Sequence, residues 1–420
     1  MQRSISSLLF VLFIGLFGST IIAQENLNYK LPELLVSNSG KVISSSEEWE
    51  NIRRPEILEL FKNSVYGRIP EEKLNISYTL SKIDQNALGG KAIQKEVIAT
   101  FTSGGDSLEM NMLIFLPKNS KTPVPVFLGM NFYGNHTINP DPNISITENY
   151  VRNNREYSIT NNRANELTRG VRSHRWPIER ILERGYGLVS IYYGDIDPDF
   201  YDGFKNGIHK LFKNSSDMRK PDEWGSISAW AYGLTKAMDY LETDKGIDKN
   251  KVAVIGHSRL GKTALWAGAI DQRFAITISN DSGCGGAALS RRKRGETVKR
   301  INTSFPHWFC ENFHKYNDKE DELPVDQHML ISLIAPRPVY VGSAVEDRWA
   351  DPKGEYLSLY HSGPVYELFG FKGFKSDVLP ELNQALSVDQ NGYHIRSGKH
   401  NLTLFDWENY MDFTDLHFYK

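Results

Sequence analysis

The heptapeptide Gly256-His257-Ser258-Arg259-Leu260-Gly261-Lys262 sets a serine between an apolar run, Lys251 to Gly256, and a segment that reads as a helix, Lys262 to Ala269. A serine at a strand–turn–helix junction has the setting of a nucleophile elbow. The strained turn lifts the hydroxyl above a sheet edge, and small neighbours let strand and helix approach. The glycine pattern departs from the usual one, because Leu260 stands where the second glycine sits and Gly261 comes one residue late. A hydroxyl is a poor nucleophile unaided, so a base and an orienting acid are required. His400, in Gly398-Lys399-His400-Asn401 shortly before the last helical segment, occupies the position of the base. Asp347 follows the apolar run Pro338 to Ser343 and occupies the position of the acid; the order Ser, Asp, His fits a doubly wound hydrolase. Asp281 closes another apolar run, Phe274 to Ser279, and is a second candidate acid, with a helix cap from Ser282 onward as its alternative role. Ser258 has its own alternative as a turn or cap residue. His257 is expected to point away from the serine across the turn.

These residues need a sheet whose strand ends converge. Short continuous apolar runs, Val124 to Met130, Gly187 to Tyr193, Lys251 to Gly256, Phe274 to Ser279 and Pro338 to Ser343, alternate with helical stretches. Gly225 to Thr243 carries Ile227, Trp230, Leu234, Met238 and Leu241 at helical spacing, and Trp407 to Phe418 reads as a closing helix. This is the pattern of a parallel sheet with crossover helices. Upstream, Pro55 to Tyr66 reads as an amphipathic helix, and Lys95 to Phe101 and Met110 to Leu116 read as a hairpin about Ser103-Gly104-Gly105-Asp106. The expected fold is α/β: a three-layer sandwich with a mostly parallel central sheet, helices on both faces, and one domain over 24–420. Residues 139–180, rich in Asn and Arg, are too long for a connector and are expected as an inserted lid or binding loop; 361–395 is expected as a second insertion.

Composition narrows the function classes. The 420 residues hold 49 Lys+Arg against 51 Asp+Glu, a net charge of −2, which gives no global attraction to nucleic acid. An apolar content of 40% is too high for a disordered chain. Two cysteines cannot staple a chain of this length; Cys284 and Cys310 are either a disulfide formed in an oxidising compartment or two buried small side chains. Met1 to Ala23 reads as a secretory signal, with Arg3, the apolar run Leu8 to Phe17, a break at Gly18-Ser19-Thr20 and Ala23 at the cleavage point. An uncleaved membrane anchor is the alternative, and the run is short for a span. The mature chain is then exported to the periplasm or beyond, with no membrane attachment. No Cys/His cluster has zinc spacing and no Gly-rich phosphate or dinucleotide loop occurs in the right context, so neither metal nor cofactor is expected.

Several longer motifs together carry a resemblance. They are Gly129 to His136 (GMNFYGNH), Gly194 to Asp199 (GDIDPD), Gly256 to Ala269 (GHSRLGKTALWAGA), Ser282 to Arg292 (SGCGGAALSRR), Gly295 to Val298 (GETV), Phe305 to Phe309 (FPHWF), Asp347 to Glu355 (DRWADPKGE) and His394 to Leu402 (HIRSGKHNL). With these motifs the chain resembles the glucuronoyl esterases of carbohydrate esterase family 15, in particular the bacterial branch, over nearly all of its mature length. The resemblance implies an α/β-hydrolase fold and hydrolysis of glucuronic acid esters, such as those joining 4-O-methyl-glucuronoyl branches of glucuronoxylan to lignin alcohols. It implies Ser258 as nucleophile, His400 as base, Arg259 in the oxyanion hole, and Lys262, Glu296 and Trp349 at positions that hold the sugar. The family's acid stands at the Asp281 position, where Glu is common, or at the Asp347 position. Read without the resemblance, Lys262 reaches solvent, Trp349 packs in the core and Glu296 is a surface group. The rival functions are another serine esterase, for acetylxylan or other acyl groups, a peptidase of the prolyl-oligopeptidase kind, and a non-catalytic carbohydrate-binding homologue.

Overall fold

A computed structural model of the protein describes residues 29–212 and 219–419. The expected secretory signal, residues 1–23, lies outside the described residues. Ten strands form one sheet: β1 (Asn75–Asn86), β2 (Ala92–Ser103), β3 (Asp106–Pro117), β4 (Val124–Asn131), β5 (Gly187–Tyr192), β6 (Ile247–His257), β7 (Ile276–Asn280), β8 (Val339–Ala344), β9 (Ala385–Val388) and β10 (Asn391–Arg396). Their order across the sheet is β1-β2-β3-β5-β4-β6-β7-β8-β10-β9. The six strands from β5 to β10 in that order run parallel. The β1–β2–β3 meander on one side and β9 on the other are antiparallel additions.

The apolar sequences of β4 (VPVFLGMN) and β5 (GLVSIY) are buried at every position, so both sheet faces must be covered. Successive side chains of a strand take opposite faces. In β6, Val252 and Val254 enter one core while Ala253 and Ile255 enter the other. The first core is closed by the helices Ser226–Leu241, Arg259–Ile270 and Pro352–Leu368, and the second by Ile178–Glu183 and Leu404–Phe418. Trp407 is wholly buried on the second face, edge-on to Phe127 at 5.4 Å. A large side chain buried so completely stabilises by about 2–3 kcal/mol. The three-layer α/β sandwich expected from the sequence is thus the observed fold.

The structure departs from expectation at the margins. Of the stretch 361–395, expected as an insertion, the first part completes the helix Pro352–Leu368 and the last part forms β9 and most of β10. That helix contains Pro364, and β10 (NGYHIR) is half polar, so neither shows a regular apolar pattern. β10 is nonetheless buried throughout, because His394 and Arg396 find a buried partner in Asp406. β1 is largely exposed and carries no core-facing alternation. Of the stretch 139–180, residues 139–177 are a long irregular segment with short helical turns, and the helix Ile178–Glu183 begins within its last residues. Cys284 and Cys310 are two separate buried thiols rather than a disulfide. The Cys310 thiol lies 3.7 Å from the Asn63 carbonyl, and burial pushes its pKa up to about 11.

β6 passes into the helix Arg259–Ile270 through one residue, Ser258. Gly256 makes that crossing sterically feasible: a Cβ there would lie 1.9 Å from the Leu260 carbonyl oxygen. Gly256→Ala is therefore expected to cost about 3 kcal/mol, the upper end for overpacking a core position. Urea titration of the variant tests this, and an unshifted midpoint would show that the turn relaxes freely.

Candidate active site

Ser258 adopts φ 59° and ψ −129°, a conformation that costs an L-residue roughly 1–3 kcal/mol and persists only where its surroundings enforce it. The enforcing bonds are visible. Its N–H donates to the Asn280 carbonyl at 2.8 Å, and its own carbonyl accepts from Gly261 and Lys262 at 2.8 and 3.2 Å. Ser258 stands at the helix N-cap, yet its side chain makes no capping bond. The alternative role as a cap is thereby removed, and the hydroxyl is left for chemistry. Arg259 is the first helical residue, so its backbone N–H has no intrahelical acceptor.

His400 Nδ1 pairs with Asp347 Oδ2 at 2.5 Å. The histidine side chain is 40% exposed and the carboxylate 4% exposed, so a buried carboxylate holds an imidazole that meets solvent. His257 packs beside His400. Its ring lies 4.5 Å from the His400 ring, and its Nδ1 contacts Asn280 Oδ1 at 2.6 Å. Burial, and then the neighbouring His400, hold its pKa well below the usual imidazole value. A neutral ring thus backs the base. Asp281 lies in the same cluster: ligand atoms of Asp281, Asp347 and His400 fall within 4.8 Å of one another, a spacing that also suits a metal ion. Its Oδ2 accepts from Arg396 Nη2 at 3.3 Å and from the Asn401 N–H at 3.2 Å, while Oδ1 is buried without a partner. Burial, and then Glu355, raise its pKa well above the carboxylate range. No helix starts at Ser282, so its alternative role as a cap is not used.

The loop carrying His400 is pinned from beneath. Arg396 gives Nε to both oxygens of Asp406 at 3.0 and 2.9 Å and Nη2 to the Asn401 carbonyl at 2.5 Å. His394 Nε2 meets Asp406 at 2.8 Å, and Asp406 also closes the capping box with Thr403 at the start of the last helix. On the other flank, Arg259 donates to Asp199. Asp199 is also held by Trp308 Nε1 at 2.7 Å, His307 Nε2 at 2.9 Å and the Tyr193 hydroxyl at 3.0 Å. Burial opposes the charge of Asp199, but Arg259 and His307 outweigh it and hold the carboxyl far below its usual range. The guanidinium of Arg259 lies 4.7 Å from the Trp308 ring. Asp199, His307 and Trp308 had no individual role in the sequence reading, although the motifs containing them stood out.

Lys262 turns inward rather than to solvent. Its Nζ donates to the carbonyls of Ser282 and Cys284, both at 2.6 Å, and to Glu296 Oε2 at 2.9 Å. Glu296 is buried and accepts from Trp349 Nε1 at 3.2 Å through its other oxygen. Trp349 is 44% exposed, with Arg300 at 5.1 Å from its ring. A connected chain of Lys262, Glu296 and Trp349 therefore ends in an open aromatic face, and it is the tryptophan that meets solvent.

Beneath the Ser282–Gly283 turn, Glu355 accepts from the backbone N–H groups of both residues at 2.7 and 3.0 Å and from Ser343 Oγ at 2.5 Å. Complete burial raises its pKa from 4.5 to about 7, and Asp347 adds to the rise. The unfolded carboxyl releases its proton near 4.5 while the folded one keeps it to about 7. This contribution to stability is therefore full below pH 4.5 and is lost as pH rises through about 7. Asp281 acts in the same direction. Glu355→Gln mimics the protonated form, and its thermal midpoint is expected to fall less than that of the parent protein between pH 5 and 8, a range bracketing about 7. Parallel curves in scanning calorimetry would contradict this.

The family description "Glucuronyl esterase, fungi" matches residues 207–370. The carbohydrate esterase MZ0003, from an unknown prokaryotic organism, is 54% identical over 391 residues, 93% of this chain and 90% of that protein. Among solved structures, a promiscuous family 15 carbohydrate esterase from a marine bacterial metagenome superposes with a TM-score of 0.87 at 53% identity, over 93% of this chain and 97% of that one. A glucuronoyl esterase from Solibacter usitatus does so with a TM-score of 0.87 at 45% identity, over 93% and 98%. With an α/β-hydrolase sheet, a strained serine turn and relatives at this level of identity, the chain belongs to carbohydrate esterase family 15, the glucuronoyl esterases.

Proposed function

We propose that the protein is a serine esterase that cleaves carboxylic esters of 4-O-methyl-glucuronic acid, such as those between glucuronoxylan and lignin alcohols. The observation that carries this reading is the Ser258 hydroxyl, free of any capping bond on a strained turn, one residue from the His257 ring that packs at 4.5 Å against the Asp347-bound His400. His400 takes the Ser258 proton as the hydroxyl attacks the C6 carbonyl of the uronate. Asp347 fixes the tautomer and stabilises the imidazolium that results. The tetrahedral oxyanion meets the Arg259 N–H and guanidinium, donors already in place before the reaction. The imidazolium then protonates the departing alcohol, and water, activated by His400, hydrolyses the glucuronoyl-enzyme. In this reading Trp349 supplies a flat wall for the sugar, Glu296 accepts from its hydroxyls, and Lys262 sets both. Asp281 steadies the His400 loop and is not the acid.

An exported location follows from the reading of Met1–Ala23. The marine relative is described as promiscuous, which favours a second reading: turnover of simple acyl esters on the same site.

Ser258→Ala is expected to abolish turnover of benzyl glucuronate. Asp347→Asn should lower kcat by about 10³–10⁴-fold, the loss seen when the orienting acid of a triad is neutralised. Asp281→Asn should cost less than about tenfold, as a positioning change rather than loss of the acid. Equal losses from the two aspartate variants would return Asp281 to the mechanism. Efficient turnover of p-nitrophenyl acetate with none of benzyl glucuronate would replace the first reading by the second.

A further inference from the structure

The cations around the site fall into two groups. Arg259 is neutralised by Asp199, Lys262 by Glu296, and Arg396 by Asp406. Arg172 and Arg175, three positions apart in the inserted segment, have no carboxylate partner among the described residues. Arg172 is 9% exposed. Its guanidinium lies 5.8 Å from the Tyr133 ring and 5.1 Å from the Tyr157 ring, and it donates to the Tyr157 hydroxyl. Arg175 gives no side-chain hydrogen bond to any described residue, and its Nε is buried without a partner. Burial, followed by the charge of Arg172, lowers its pKa to about 10. Buried charges in proteins are paired, because an unpaired one costs several kcal/mol.

Both arginines line a cavity of about 20 Å³ behind His257 and Gly256. That space holds one water-sized particle. Its remaining walls are mostly apolar, among them Ile255, Leu402 and Trp407. The His257 ring at its edge is neutral and brings no compensating charge. The Asp281 carboxyl lies near enough to act on Arg175, but it accepts its hydrogen bonds from Arg396 and the Asn401 N–H. A water molecule fills the volume and leaves two guanidinium charges uncompensated. A halide has a similar volume and supplies the missing charge in a low-dielectric pocket, where the attraction is strong.

We propose that Arg172 and Arg175 bind a small monovalent anion, halide in size, in the cavity behind the Ser258 turn. The site is separate from the ester-binding cleft and stands whether or not the substrate assignment holds. One imidazole ring, His257, separates it from His400, so the anion offsets the field of the two arginines at the base.

Crystals of the protein soaked in sodium bromide test this by anomalous scattering. The expected result is a bromide peak between the two guanidinium groups, with a thermal midpoint in solution that rises with sodium bromide beyond a sodium sulfate control of equal ionic strength. Arg175→Gln should lose both the peak and the rise, and Arg175→Lys should keep part of each. No peak in the parent protein, or a peak that survives in the double variant Arg172→Gln, Arg175→Gln, overturns the proposal. A peak without any bromide-specific rise in midpoint marks an adventitious ion only and also overturns it. Glucuronate that occupies both arginines and excludes bromide would reassign the pair to the uronate and equally end the halide reading.

Discussion

The backbone of Ser258 is the constraint from which the site is built. A residue at φ 59° and ψ −129° relaxes unless strand and helix hold it from both sides. Here the hold comes from a close crossing: the Gly256 backbone against the Leu260 carbonyl, and Gly261 against Ser279, Ser282 and the Gly256 carbonyl. The glycine that comes one residue late in the motif is thus the one that lets the helix settle onto the neighbouring strand end. The same crossing points the first turn of the helix into the cleft. It leaves the Arg259 N–H free of an intrahelical acceptor next to the serine and carries Lys262, one turn on, to the carbonyls of Ser282 and Cys284. Strand β6 could not deliver all three at once through a relaxed turn.

Around that turn, charge is organised by burial rather than by distance alone. Asp199 receives four donors and stays ionised, which fixes Arg259 with its guanidinium against Trp308. Arg396 spends its guanidinium on Asp406, Asp281 and the carbonyls flanking the His400 loop. Each of these arginines acts as a strut, because a planar fork with several donors can hold two or three acceptors in fixed relation. Carboxyl groups in excess of such partners, Glu355 and Asp281, are pushed toward the neutral form instead.

Much of this was legible in the sequence, for definable reasons. The parallel strands announced themselves because strands buried on both faces are continuous apolar runs, as in Val124–Asn131 and Gly187–Tyr192. Ser258, His400 and Asp347 were legible because a doubly wound sheet fixes where each must follow a strand. The strand Asn391–Arg396 was hidden because its burial depends on His394 and Arg396 meeting Asp406, a long-range pairing with no local periodicity. Asp199 was hidden for a related reason: it lies 60 positions from the arginine it fixes, in a motif whose other aspartates, Asp195 and Asp197, serve the neighbouring loops. The packing of the His257 ring against His400 needed the three-dimensional path of the last loop.

The two candidate acids are separated by what their oxygens can still do. An orienting acid must offer an oxygen to Nδ1 of the base, and Asp347 does so at 2.5 Å from a nearly buried position. Asp281 has one oxygen committed to Arg396 and the Asn401 N–H, and the other is buried with no donor at all. The raised pKa of Asp281 favours its neutral form, which brings no further charge beside the Asp347–His400 pair. A longer acidic side chain here would extend further toward the histidine. The aspartate stops short, and its hydrogen bonds run to the loop on which the histidine rides. A position that can host the acid is in this chain a support for it, and the single orienting bond to His400 comes from the other strand end.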